Sequence, residues 1–136
     1  MKNLIRKDLI EPKLCYEIVG ALFEVSNELG PGHKEAVLQR AVAKALAYRK
    51  ISFKEQVPIA LTFLGGSVGR YFLDFLVEGK IILEIKSGSR FSPKNFKQVE
   101  SYLTATRLPL AILAHFHQEG VTFKRIVNFH LLQPNS

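Results

Sequence analysis

The chain has 136 residues, 47% of them apolar and 23% charged, which suits one soluble, globular domain and is too little for two ordinary ones. A formal charge of +7 admits a polyanionic partner, nucleic acid first. No run approaches the roughly 20 apolar residues that span a bilayer, so no membrane partner is expected.

The first segment, Met1 to Glu11, mixes Lys2, Arg6, Lys7, Asp8 and Glu11 with single apolar residues and lacks the apolar core of a signal peptide. From residue 13 to 29, Leu14, Ile18, Ala21, Leu22, Val25 and Leu29 recur at helical spacing. Cys15, the sole cysteine, falls on the apolar side of this helix; no intrachain disulfide exists, and a cytoplasmic location is expected. Gly30-Pro31-Gly32 stops the helix. A second helix from about Lys34 to Arg49 carries Val37, Leu38, Ala41, Val42, Ala45 and Leu46 as its apolar stripe, so the two helices form a hairpin.

Strand signals follow. Phe53 to Val57 is short, and Pro58 marks a sheet edge or a bulge. Ile59 to Leu64, a turn at Gly65-Gly66-Ser67, Val68 to Val77, a turn at Glu78-Gly79-Lys80, and Ile81 to Lys86 make a three-stranded meander. Ser87-Gly88-Ser89 ends it. Ser92 caps a helix that opens on Pro93 and runs to about Thr106. Leu108 to Ala114 reads as a buried strand, His115 to Gly120 as a loop, Val121 to Phe129 as a last strand and residues 131–136 as a tail. This order implies an α/β fold with a mixed sheet and helices packed against it, in one domain over residues 1–136.

The informative residues are charges inside apolar strands. Asp74 is the one carboxylate in Tyr71–Val77, and Glu84 and Lys86 interrupt Ile81–Lys86, giving D-(x)9-E-x-K. Buried charges need a partner or a metal. Glu84 and Lys86, two apart, share a strand face. If the hairpin is centred on Gly79, Asp74 lies opposite Glu84, with side chains about 5 Å apart; a turn tighter by one residue makes it only diagonal. The first register is preferred because it satisfies three charges at once. Mg²⁺, or Mn²⁺, accepts such hard oxygen ligands: Asp74, Glu84 and the backbone carbonyl of Ile85. Lys86 would orient or activate a water and neutralise phosphate charge. Arg90, Lys94 and Lys97 follow directly and are candidates for holding a nucleic-acid backbone, together with the backbone donors of Ser87, Gly88 and Ser89; Lys13, Lys54 and Arg70 are less specific. His115 and His117, at i and i+2, lack the further ligands of a transition-metal site.

Asp74, Glu84 and Lys86, within YFLDFLV and IILEIKSG, resemble the signature of the PD-(D/E)xK nuclease superfamily. The run ALFEVSNELGPGHKEAVLQRAVAKAL, then EQVPIAL, then the meander, resembles the GxxExxY family within it, over about residues 12–128. Leu73 stands in the place of the signature proline; Gly32 and Glu35 match the name motif, and Leu38 occupies its tyrosine position. The resemblance implies a restriction-endonuclease-like αβββαβ core with an N-terminal helical hairpin. It implies metal-dependent hydrolysis of phosphodiester bonds, with DNA favoured over RNA and a homodimer as the arrangement that cuts two strands. It also implies that Glu35 is a third metal ligand or positions a metal-bound water. Gln98 and Tyr102 match the QxxxY pattern of one branch, and lie on one helix face that would look into the site. The competing expectation is a module that keeps the fold without the chemistry and binds nucleic acid or a protein partner.

Overall fold

Apolar residues at helical spacing wind Pro12–Leu29 into α1 and Glu35–Tyr48 into α2. The computed structural model describes residues 10–88 and 91–132. Pro12 opens α1 at a position that has no intrahelical N–H bond to lose, and Gly30, at φ 70°, ends it by donating its N–H to Ser26 O at 3.0 Å. The buried faces are Cys15, Ile18, Ala21, Leu22 and Val25 on α1, and Leu38, Val42, Ala45 and Leu46 on α2. Arg49, just past α2, lies across Gly20 of α1 and pairs with Glu17 at 3.1 Å and Glu24 at 3.5 Å. A Cβ on Gly20 would stand 2.9 Å from the guanidinium, so only glycine admits this clamp undisturbed.

The strands are β1 (Phe53–Phe63), β2 (Gly66–Val77), β3 (Ile81–Ser87), β4 (Leu110–His117) and β5 (Gly120–Val127), in one sheet of spatial order β1-β2-β3-β4-β5. Neighbours are antiparallel except β3 and β4, which are parallel and joined through helix α3 (Pro93–Thr106). A parallel pair needs such a crossover. Ser92 caps α3 through Lys94 N–H at 3.2 Å. A four-residue helix, α4 (Phe129–Leu132), follows β5. The expected α/β class with a mixed sheet is what the chain adopts. No helix among the described residues is long and apolar enough to cross a membrane.

Several local expectations are corrected. Residues 53–63 form one strand that passes through Pro58, which pairs with Phe72. Because β1 is an edge strand, the missing N–H costs no central ladder bond. The first hairpin turns at Leu64-Gly65, both at positive φ, one residue earlier than read. His115 to His117 belong to β4, because the buried strand continues to the β4–β5 turn. The last strand ends at Val127; Phe129 and Leu131 are helical.

Two apolar layers flank the sheet. Phe75, Val77, Ile81, Leu83, Ile85, Leu110, Ile112, Ala114 and Phe116 pack under α1 and α2. Leu73, Ile82, Ala111 and Leu113 pack against Val99, Tyr102 and Leu103 of α3. Asn128 is buried beside this second layer, donating from Nδ2 to the carbonyls of Leu103 and Leu108, both at 3.0 Å. Asn128→Leu leaves Leu108 O without this donor, while Leu103 O keeps the Arg107 N–H at 2.9 Å, and is expected to lower unfolding free energy by about 1–2 kcal/mol in urea titrations.

Candidate active site

The β2–β3 hairpin turns through Glu78 (φ 51°) and Gly79 (φ 66°) and pairs Val77 with Ile81, Leu76 with Ile82 and Phe75 with Leu83. That register is centred on Gly79 and carries Asp74 level with Glu84. There the ladder stops, and side chains replace it. Asp74 N–H donates to Glu84 Oε1 at 2.8 Å, and Ile85 N–H donates to Asp74 Oδ2 at 2.8 Å. Each carboxyl thus satisfies a backbone group that the opposite strand would otherwise have paired. Beyond this point β3 pairs with β4 alone, Glu84 beside Leu113 and Lys86 beside His115.

The divergence has a visible cause in β1 and β2. Phe75 and Val77 pack under α1 and α2, whereas Leu73, at the same strand parity, packs against α3. Residues of equal parity normally share a face. The strand pair therefore rolls between residues 73 and 75, and Gln56, facing this step from β1, takes a left-handed φ of 50°. The two carboxyls lie level with this step.

Glu84 is 2% exposed. Burial first, and then the Asp74 charge, push its carboxyl up to about 8. Burial also raises Asp74, opposed by the Ile85 N–H, Lys86 and contact with Glu84. Both carboxyls are thus raised, Glu84 being the more deeply buried of the two and facing the Asp74 charge. Glu35, at the first turn of α2, is raised by burial, lowered by Lys86 and raised by Asp74. Its carboxyl therefore stands within electrostatic reach of both residues. Among the described residues no three His, Cys, Asp or Glu side chains close into a cage; the pair is Asp74 and Glu84, with Glu35 beside it.

This donor set suits a hard divalent cation. A buried carboxyl beside a half-buried one, both raised, offers the oxygens and the deficit of positive charge that such an ion fills, and binding it would displace protons. Ile85 N–H points toward β2. In an extended strand the carbonyl of a residue leaves from the same edge, so Ile85 O is directed into the same gap.

Helix α3 covers the site. Tyr102 is 3% exposed and its ring centroid lies 5.8 Å from that of Tyr71. Its phenol is pushed up by burial and then by the charges of Glu84 and Asp74, which places the ring beside the carboxyls. Gln98 is half-buried one turn earlier, on the same face. Lys94 and Lys97 are exposed on the first turns of α3. Ser89 and Arg90 lie outside the described residues.

Sequence reasoning places His115 in a loop and sets it aside with His117 as an incomplete metal pair. It is 3% exposed on β4 beside Lys86, its Nε2 is 2.8 Å from Gly88 O, and it packs 4.7 Å from Phe91. With a carbonyl as partner, Nε2 carries the hydrogen and donates. His115 thus ties down the chain just after Lys86. The signal that finds it is parity: Ala111, Leu113 and His115 share one face of β4, opposite Ile112, Ala114 and Phe116.

The PD-(D/E)XK nuclease superfamily matches this sequence over residues 12–126. The chain belongs to that superfamily. Asp74, Glu84 and Lys86 fall at the junction of β2 and β3 within the matched span. PD-(D/E)XK nucleases are generally dependent on a divalent metal. Two solved structures share the fold: SSO0001, at TM-score 0.56 and 15% identity over 68% of this chain and 48% of its own, and the alkaline exonuclease LHK-Exo from Laribacter hongkongensis, at TM-score 0.53 and 17% identity over 71% and 57%. The chain spans about half the length of these two proteins. No curated protein matches it.

Proposed function

We propose that this PD-(D/E)XK protein is a metal-dependent nuclease that hydrolyses phosphodiester bonds. The observation that carries the reading is the reciprocal hydrogen-bonding of Asp74 and Glu84 at the point where β2 and β3 part, with Lys86 two residues along the same face. Asp74, Glu84 and Ile85 O would hold Mg²⁺ or Mn²⁺, with Glu35 as a further ligand or as the holder of a coordinated water. When bound, the ion supplies a more acidic water and neutralises phosphate charge. Lys86 donates hydrogen bonds to the phosphate oxygens and orients the water. Tyr102 and Gln98 close one side of the site and limit bulk water around the carboxyls. Cys15 is buried and unpaired, which fits a reducing, cytoplasmic compartment.

Lys94 and Lys97 would hold phosphates at the start of α3. Replacing both by alanine is expected to reduce the slope of log K against log salt by about 2, since each phosphate contact contributes about 0.9 on duplex DNA. Fluorescence anisotropy at several salt concentrations reads this directly.

The functional test is cleavage of a panel of single- and double-stranded DNA and RNA in Mg²⁺ and in Mn²⁺. Metal-dependent products, with DNA cut faster than RNA, are expected. Absence of cleavage across the panel, together with no metal binding by calorimetry, would overturn the reading. A second reading, a non-cleaving module that docks on a protein, is favoured by the exposed apolar end of the β1–β2 arm, where Phe63 and Leu64 are 65% and 89% exposed. Metal-independent nucleic-acid or partner binding that survives Asp74→Ala, without cleavage by the wild type, selects it.

A further inference from the structure

A cleft of about 410 Å³ opens at the carboxyl ends of the parallel strands β3 and β4. Crevices beyond the carboxyl ends of parallel strands are where open α/β sheets bind ligands. One wall is the α1–α2 turn, including Gly32 and His33; the other is Ser87 with His117 and Gln118 of the β4–β5 turn. Ser26 and the buried Phe116 lie among its lining. The walls are joined by the chain to the catalytic candidates: Ser87 follows Lys86 directly, and His33 precedes Glu35 by two residues. The cleft therefore opens one to two residues along the chain from Lys86 and Glu35, on the α1–α2 side of the sheet.

Its chemistry is selective. None of the described residues lining it is Lys, Arg, Asp or Glu, in a chain of net charge +7. Among the described residues a phosphate would find no fixed countercharge there. The lining offers neutral donors and acceptors on Ser26, Ser87 and Gln118, and two imidazole rings. Both rings are held in place: His33 Nε2 is 2.9 Å from Leu29 O, and His117 Nδ1 accepts from Glu119 N–H at 3.2 Å. Orientation fixed in this way lowers the entropic cost of stacking on a planar ligand. Aromatic rings, histidine included, stack on unpaired bases, and the volume suits a group the size of a nucleoside.

We infer that this cleft binds the base and sugar of one unpaired nucleotide adjoining the scissile phosphate, so that the substrate is a single strand or a frayed end and not an intact duplex. The inference rests on the nuclease reading for the placement of that phosphate, but binding is testable without cleavage. The probes are adenosine and thymidine, added to the whole ¹⁵N-labelled protein in EDTA, with inorganic phosphate as control. Amide shifts clustered at Gly32, Ser87 and Gln118 are expected with the nucleosides and not with phosphate. Ser26→Phe fills the cleft from α1 and should abolish them; Gln118→Ala, an exposed change that cannot unfold the chain, should weaken them severalfold. An oligonucleotide abasic at the position beside the cut should be cleaved about tenfold more slowly than its parent by the wild type, and no more slowly by Ser26→Phe. If no substrate is cut by any form, the nuclease reading fails while the nucleoside shifts still decide this one. Shifts absent at tens of millimolar nucleoside, or unchanged in a folded Ser26→Phe, overturn the inference.

Discussion

Asp74→Ala is expected to slow metal-dependent cleavage by a factor on the order of a hundred to a thousand, about 3–4 kcal/mol in the barrier, the size found when one preorganised electrostatic group is removed from a site. The substitution removes two things: a carboxylate oxygen for the cation and the acceptor that holds Ile85 N–H at 2.8 Å. Asp74→Asn separates them. Its amide oxygen still accepts from Ile85, so β2 and β3 keep their relation, while the negative charge is gone. If charge at the metal is what matters, the two variants should be equally inactive, and Asp74→Asn should be at least as thermally stable as the wild type. Lys86→Met should be as slow without losing metal affinity, because its ammonium group acts on the phosphate and water. Single-turnover rates with saturating substrate, paired with calorimetric metal titrations, distinguish the two classes. Near wild-type cleavage by Asp74→Asn would exclude this carboxylate from the reaction.

In metal-free buffer the protein is expected to lose stability as pH rises from about 5 to about 9. Folded, Glu84 holds its proton up to about 8, whereas unfolded it releases it near its ordinary value of 4.5. Between those values the unfolded chain binds fewer protons than the folded one, so unfolding becomes easier with each increment of pH. The stabilisation is complete below the lower value and lost above the upper. The raised carboxyls of Asp74 and Glu35 act in the same direction. The summed loss is on the order of a few kcal/mol. Glu84→Gln keeps a neutral group of the same shape, still able to accept from Asp74 N–H, and should flatten the profile and make the chain more stable than the wild type at pH 9. Millimolar Mg²⁺ should restore the wild type at high pH, since the cation takes the place of the proton. Urea midpoints at pH 5, 7 and 9, with EDTA and with Mg²⁺, carry the test. Parallel profiles for wild type and Glu84→Gln in EDTA would mean that Glu84 is not buried as a neutral acid.

The opposite signs of these two effects are informative. Asp74 and Glu84 sit in a part of the sheet that would be more stable with neutral side chains, and an uncompensated buried charge persists only where something else binds it. A site that is costly without its cation and active with it is the usual relation between stability and function.

Most of the α/β architecture was legible in local pattern. Spacing of three and four placed α1 and α2. The Glu78-Gly79 turn set the register that puts Asp74 level with Glu84, because a hairpin turn dictates pairing for the residues next to it. What local pattern misread were places where distant neighbours override a residue's own preference. Pro58 rightly marks the sheet edge, but it does not split the strand, because on an edge its missing donor interrupts nothing. His115 and His117 look like loop residues by polarity, but His115 has partners in β3 and β5, and His117 in β5.

The sequence by itself determined which side chains are polar within apolar strands, that Glu84 and Lys86 share one face, and that Asp74 falls opposite or diagonal to Glu84 across a turn; alternation and turn chemistry are short-range properties encoded within about ten residues. Only the tertiary structure decided that β3 leaves β2 for β4 at Glu84, that the strands roll beside Gln56, that Glu35 and Tyr102 come to the pair from two other elements, and that His115 stands beside Lys86. Those outcomes depend on how two apolar layers of fixed volume pack on opposite faces of a twisted sheet, a balance among residues far apart in the chain that no single segment carries.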